Sequence, residues 1–384
     1  MSILNQEEGG FGERIDWALF IAVALLAVIG VVNLYSATSV YTLSRADMYV
    51  SQVYFLAAGT ALAILVTVID YRHFERIAYP LYVAGLMTLV LVLALGKGIR
   101  GSSRWINLGG FGFQPSEFTK IWLILALAKY FHNSPRSEGP KLLRELTVPA
   151  LLTAIPCFLV LKQPDLGTAL IHGLIFLAIA SLQRIKLSSL FLLGAFTVMS
   201  LPLFWLYGMK DYQKERITSF LSPENDITGA GYHAYHARIA IGNGGFLGQG
   251  FAKGSQNQYY FLPDQYSDFP FSVLAEDWGF VGSLVLLSLY AFLVLWALRI
   301  ASQAKDRFGA VVAVGVGALL FWHSVFNIGM VSGLLPVVGV TLPLLSYGGS
   351  SLLTIMLGLG LLMNVSIRRP HLAQLYSRRL VFVR

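Results

Sequence analysis

Apolar runs of about twenty residues recur along almost the whole of this chain of 384 residues, each long enough for a helix to cross roughly 30 Å of hydrocarbon. In lipid every backbone N–H and C=O needs a partner within the protein, so only helices and closed barrels span a bilayer. The runs lack the period-two alternation of barrel strands. The chain is therefore read as an all-α polytopic membrane protein with ten transmembrane helices, at approximately 17–37, 53–69, 77–95, 117–131, 147–161, 166–182, 188–207, 269–298, 309–331 and 342–366. With 56% hydrophobic and 12% charged residues, 1–384 reads as a single integral-membrane domain. Its largest polar parts are a loop at 208–268, between the seventh and eighth spans, a shorter one at 96–116 and a basic tail at 367–384.

Charge sets the orientation, because Lys and Arg near span ends resist translocation while Asp and Glu count for little. With the N-terminus inside, cytoplasmic segments hold 17 of the 28 Lys and Arg. Both termini are then cytoplasmic, and 208–268 faces outward. The net charge of +8 is explained by topology and by anionic lipid headgroups, so nucleic acid is not expected as a partner. Glu7, Glu8, Glu13 and Asp16 precede the first span where a signal peptide would carry basic residues, so that span is expected to stay in the mature protein. The single cysteine, Cys157, rules out an internal disulfide, and no phosphate-binding Gly-x-x-x-x-Gly-Lys motif occurs.

Candidate chemistry clusters at the outer side. Lys97, Arg100 and Arg104 precede Pro115, which opens the fourth span, and Glu117 and Lys120 follow three apart on one helical face. Such an ionisable pair just inside a membrane span reads as facing a wet cavity, or as a structural ion pair. Asp165, between the fifth and sixth spans, is either a cavity carboxylate or a helix N-cap. Asp268 ends the outer loop, with Asp264 before it and Glu276 and Asp277 beyond. It is the candidate general base, since a carboxylate near lipid is suited to take a proton from a sugar hydroxyl; the competing reading is an N-cap for the eighth span. Arg216, Arg238 and Lys253, with Lys97, Arg104 and Lys120, are candidate cations for a diphosphate. A helix over GYHAYHARIAIGNGG is expected to end at Gly242 and either lies in the membrane interface or simply connects. His233 and His236 lack a third ligand, so no metal site is expected. Between the ninth and tenth spans Pro336, Pro343, Gly348 and Gly349 break regularity, either to shape a substrate groove or to allow close packing.

Together LYSAT, RWI-x-LG-x-x-x-FQPSE, QPDLGTA, YQ-x-x-R-I, GAGYH, IAIG-x-GG, FLP-x-x-x-x-DF, NIGMVSG and LP-x-x-SYGGSS resemble, in order and over nearly the whole chain, the SEDS family of bacterial membrane glycosyltransferases. GSQNQYYFLP and LLPVVGV look most like its RodA branch. The resemblance implies ten spans in the bacterial cytoplasmic membrane and polymerisation of lipid II into peptidoglycan at the outer face, for elongation and cell shape. Asp268 matches the family's essential aspartate, and Arg104, Glu117, Lys120, Asp165 and Arg216 its cavity and motif positions. Implied partners are lipid II, an undecaprenyl-diphosphate-linked glycan, and a class B penicillin-binding transpeptidase within the elongation or division machinery. No cofactor is required by the sequence, and a divalent cation at the diphosphate is left open. Departures are Tyr266-Ser267 for a common His-Thr, Asp264-Gln265 for Glu-Arg, His236-Ala237 for Gln-Ser, and Gln249 where Lys is frequent. A lipid II transporter and a non-catalytic scaffold are the rival readings.

Overall fold

The computed structural model describes residues 15–39, 47–95, 104–108, 111–134, 143–182, 211–221, 230–259, 261–262 and 265–369, with isolated positions between 199 and 209. Within them the chain forms α1 (Trp17–Thr38), α2 (Met48–Val68), α3 (Tyr71–Leu95), β1 (Ile106–Leu108), β2 (Phe111–Phe113), α4 (Pro115–Asn133), α5 (Thr147–Lys162), α6 (Leu166–Ser181), α7 (Asp211–Leu221), α8 (Ala230–Gly244), α9 (Ser255–Gln258), α10 (Pro270–Ser302), α11 (Arg307–Val331) and α12 (Gly349–Ile367). Six of these, α1, α2, α3, α10, α11 and α12, are long and apolar enough to cross a membrane; α5 and α6 are shorter apolar helices. The expected seventh span, 188–207, and the tail after 369 lie almost wholly outside the described residues. The one sheet among them is an antiparallel hairpin pairing Ile106 with Phe113, in the segment leading to α4.

Burial separates a core from a shell. In α11 and α12, 78% and 83% of the apolar stretch is enclosed by protein, against 17–33% in α1, α2, α3 and α10. Helix α4 joins the core, with Ile121 and Leu123 through Ala128 fully buried, and it packs on α3, α6, α11 and α12. The shell helices turn Leu, Val and Ile outward, as membrane helices do. Helix α2 meets α12 closely because Gly360 has no side chain: a Cβ there would lie 2.8 Å from the Ala63 backbone. Asp16 ties three helices together at one end. It caps α1 through Leu19 N (3.2 Å) and accepts from Trp296 Nε1 of α10 (2.9 Å) and Ser366 Oγ of α12 (2.7 Å).

Several boundaries differ from those expected: α2 starts at Met48 rather than 53 and α10 ends at Ser302 rather than 298, and three others bear on the fold. Helix α3 starts at Tyr71 rather than 77, because Arg72, His73, Glu75 and Arg76 are acceptable in a helix yet fall outside an apolar run. Helix α8 runs past Gly242 to Gly244, and Gly245, at φ +53°, ends it. Helix α12 starts at Gly349 rather than 342, leaving 332–348 without helix between α11 and α12.

The eighth span is also interrupted, where one continuous helix was expected. Gly279 adopts φ 64° and ψ −156°, a region essentially restricted to glycine, and breaks α10 into two segments. The freed donors are satisfied by the preceding turn: Phe280 N donates to Gly245 O (2.9 Å) and Val281 N to Phe246 O (3.2 Å). In return Gln249 N and Gly250 N donate to the carbonyls of Glu276 (2.9 Å) and Asp277 (3.1 Å). The Glu276 carboxylate accepts from Gln256 N (3.0 Å) and Ser255 Oγ (3.2 Å), while that of Asp277 accepts from Ala252 N (3.3 Å) and Ser36 Oγ. These two buried acids hold the 249–258 segment against Pro270–Trp278. Gly279→Ala is expected to lower stability by about 1–3 kcal/mol through backbone strain, seen as a lower unfolding midpoint in detergent, and a wild-type midpoint would contradict the account.

Candidate active site

A cavity of about 740 Å³ opens where α4, α6, α7 and α11 meet the 265–268 and 332–348 segments. Six of the expected residues line it: Arg104, Glu117, Lys120, Asp165, Arg216 and Asp268. Arg238 does not; it borders a separate small crevice that also touches Arg216. Lys253 is exposed in the turn before α9, away from both. The expected groove between the ninth and tenth spans is part of the wall, since Val338 to Thr341, Tyr347 and Gly348 all face the cavity. The same segment also packs closely, with Gly30 of α1 against Leu344 O.

Asp268 immediately precedes Phe269, the N-cap of α10, and Pro270 takes the first turn, so Asp268 is not the cap of that helix. Its backbone is fixed: Asn327 Nδ2 donates to Asp268 O at 3.0 Å, and Tyr347 N donates to Tyr266 O at 2.8 Å. The carboxylate is thus delivered to the cavity by a strap tied at both sides to the 327–347 region.

Opposite contributions come from α4. Lys120 is 1% exposed, and its ammonium lies 2.9 Å from Glu117 Oε2 and 2.9 Å from His323 Nε2. His323 Nδ1 is 2.9 Å from Thr341 O, a carbonyl that can only accept, so Nδ1 carries the proton and Nε2 offers its lone pair to Lys120. The Glu117–Lys120 pair is therefore a buried ion pair and a cavity wall at once.

Asp165 both lines the cavity and caps a helix. One oxygen caps α6 through Thr168 N (3.1 Å), while the other lies 3.7 Å from Arg104 Nη1 and accepts from Gln114 Nε2 at 3.2 Å. Arg104 also donates to Gln163 O (3.1 Å) and to Pro164 O, which bind its fork to the α5–α6 turn. Arg216 of α7 donates to Val337 O at 3.2 Å. Three cations and three carboxylates thus face one space, with Glu117 and Asp165 each beside a cation.

The model of the FtsW, RodA and SpoVE family of cell cycle proteins matches residues 16–371. The chain belongs to that family. Over 96% of its length it is 39% identical to 99% of the peptidoglycan glycosyltransferase MrdB of Escherichia coli K12. The fold of this family member superposes with a TM-score of 0.79 on a chain from a peptidoglycan synthase complex studied for coordination of polymerization and crosslinking, at 34% identity, covering 93% of this chain and 99% of that one. The rod shape determining protein RodA of Thermus thermophilus gives a TM-score of 0.69 at 32% identity, covering 92% and 97%. The chain is thus a multi-pass protein of the inner membrane.

Three of the residues by which this family member departs from the common motifs, Gln265, Tyr266 and His236, have partners among the described residues. Gln265 is fully buried and donates through Nε2 to Ala37 O (2.8 Å) and Asn257 Oδ1 (2.6 Å). Tyr266 lines the cavity and meets Tyr347 edge-on at 6.1 Å, and His236 stacks on Phe261 and pairs with Gln256 Oε1 at 2.8 Å. Sequence reasoning missed His323, Gln114, Thr341, Tyr347 and Ser351. His323 carried a signal of its own, an ionisable side chain within an apolar span, and Gln114, Tyr347 and Ser351 lay inside the motifs FQPSE and SYGGSS. Asp165→Asn is expected to keep the α6 cap while losing the Arg104 countercharge, whereas Asp165→Ala loses both and should unfold about 1 kcal/mol less stable than the Asn variant; equal midpoints of the two variants in detergent would contradict the capping role.

Proposed function

We propose that this chain is a peptidoglycan glycosyltransferase that polymerises lipid II at the outer face of the cytoplasmic membrane, with Asp268 as its general base. The observation that carries the reading is that Asp268 and three cations, Arg104, Lys120 and Arg216, line one cavity. Two lipid-linked substrates meet there. The 4-hydroxyl oxygen of the incoming lipid II sugar attacks the anomeric carbon of the growing strand, its proton passes to Asp268, and the new glycosidic bond forms as the bond from that carbon to the diphosphate oxygen breaks. Attack from the face opposite the leaving group gives inversion. Undecaprenyl diphosphate departs with its charge held by the cations, arginine offering paired donors to phosphate oxygens.

The positive-inside pattern supports both termini in the cytoplasm and the 208–268 loop outside, with ten spans once 188–207 is counted and a basic cytoplasmic tail from 367. Likeness to a chain from a synthase complex that couples polymerization to crosslinking supports a class B penicillin-binding transpeptidase as partner, in elongation or division. The test is polymerisation of labelled lipid II by the purified protein with that partner. Asp268→Asn is expected to lower the rate by about 10²–10⁴-fold, the usual share of general acid–base catalysis, while leaving partner binding intact. Full polymer yield from the variant sinks the base assignment; lipid II scrambling by the chain alone in vesicles supports a transporter instead.

A further inference from the structure

His323 and Asn327 lie four residues apart on α11 and so share one helical face. Both are buried, at 2% and 0% exposure, and each holds two groups at once. His323 donates to Thr341 O (2.9 Å) and receives a proton donor from Lys120 Nζ (2.9 Å). Asn327 donates through Nδ2 to Val340 O (2.8 Å) and to Asp268 O (3.0 Å). On one side the pair reads two consecutive carbonyls of the cavity wall; on the other it grips the residues assigned above as cation and base. Apolar side chains would fill this space without the cost of polar groups at membrane depth.

We propose that His323 and Asn327 are positioning residues that fix the Lys120 ammonium and Asp268 relative to each other across the cavity, with the Val340–Thr341 turn as their common reference. The proposal rests on the roles given above to Lys120 and Asp268. Donor arithmetic supports it. An ammonium has three N–H groups, Glu117 and His323 take two, and their placement then dictates where the third points, on a residue that lines the cavity. Thr341 in turn fixes the ring plane and the tautomer, so the lone pair on Nε2 has one direction. Without His323 the ammonium keeps Glu117 as its acceptor and can swing about it. Without the Asn327 donor, Asp268 O and Val340 O lose the group that joins them. Misplacement of reacting groups by about 1 Å costs on the order of 10²-fold in rate.

The test is steady-state polymerisation of labelled lipid II by the full chain with its transpeptidase partner, comparing His323→Leu, His323→Gln, Lys120→Met and the His323→Leu/Lys120→Met double variant. Glutamine can donate to Thr341 O and accept from Lys120 but cannot titrate. His323→Leu is expected to lower kcat about tenfold or more with KM within about twofold of wild type, the signature of an interaction that counts in the transition state. His323→Gln should recover most of that loss, and the double variant should be no slower than Lys120→Met. Wild-type kcat in His323→Leu, equal losses in Leu and Gln, or additive losses in the double variant would overturn the proposal. If His323→Leu fails to fold, His323→Asn, too short to reach both partners, replaces it in the comparison with Gln. Asp268→Asn run alongside separates the two ideas: full activity there removes the base assignment, while the His323–Lys120 cycle still reports on positioning.

Discussion

An ammonium that is 1% exposed inside a helical bundle cannot stand alone, and much of the core around the cavity follows from how Lys120 is accommodated. Desolvating a charge costs several kcal/mol even after relaxation. Glu117, one turn earlier on the same helix, supplies the countercharge, and His323 supplies a second acceptor from α11. Satisfying the other ring nitrogen of His323 requires a carbonyl at membrane depth, which Thr341 offers only because 332–348 is not helical. One buried charge is thus tied, through Glu117, His323 and Thr341, to α4, α11 and the non-helical backbone between α11 and α12. Irregular backbone at this depth is tolerated where protein encloses it or a cavity needs it, and here it serves the cavity wall.

A second interruption performs a parallel task. The break at Gly279 frees donors that the Gly245–Phe246 carbonyls take up, and the buried carboxylates of Glu276 and Asp277 fasten the adjoining 249–258 segment. Pro270–Trp278 is therefore a rigid element distinct from the rest of α10, and it begins two residues after Asp268. Asp268, the proposed base, is carried on a strap whose far end is clamped by these acids and whose near end is held by Asn327 and Tyr347. Preorganisation of this kind places a carboxylate without requiring substrate to order it.

Much of this was legible in the sequence. Apolar length pointed to α1, α2, α3, α10, α11 and α12, the helices among the described residues that are long and apolar enough to cross a membrane, because hydrocarbon thickness imposes length directly. Glu117, Lys120, Asp165, Arg104, Arg216 and Asp268, which line the cavity, were legible because charge is costly near lipid and because they match motif positions of the family. Arg238 and Lys253 carried the same signal and lie away from the cavity; charge type does not encode distance. The Gly279 break was invisible, since a glycine in an apolar helix is ordinarily tolerated and only its dihedral angles reveal the interruption. Gln114 and Ser351 lay inside the quoted motifs FQPSE and SYGGSS without being singled out, and Thr341 left no trace, for neutral polar residues near span ends are common and their roles depend on which carbonyl or carboxylate the fold brings to them.

The most direct test of a single cavity that joins base to cations is a structure of the complex with a non-reactive analogue bearing the lipid diphosphate and an acceptor sugar. The account predicts the acceptor 4-hydroxyl within about 2.6–3.2 Å of the Asp268 carboxylate, the distance needed for proton transfer, with the diphosphate against Arg104, Lys120 and Arg216. Diphosphate seated instead beside Arg238 or Lys253, with Asp268 out of reach of the sugar, would contradict it.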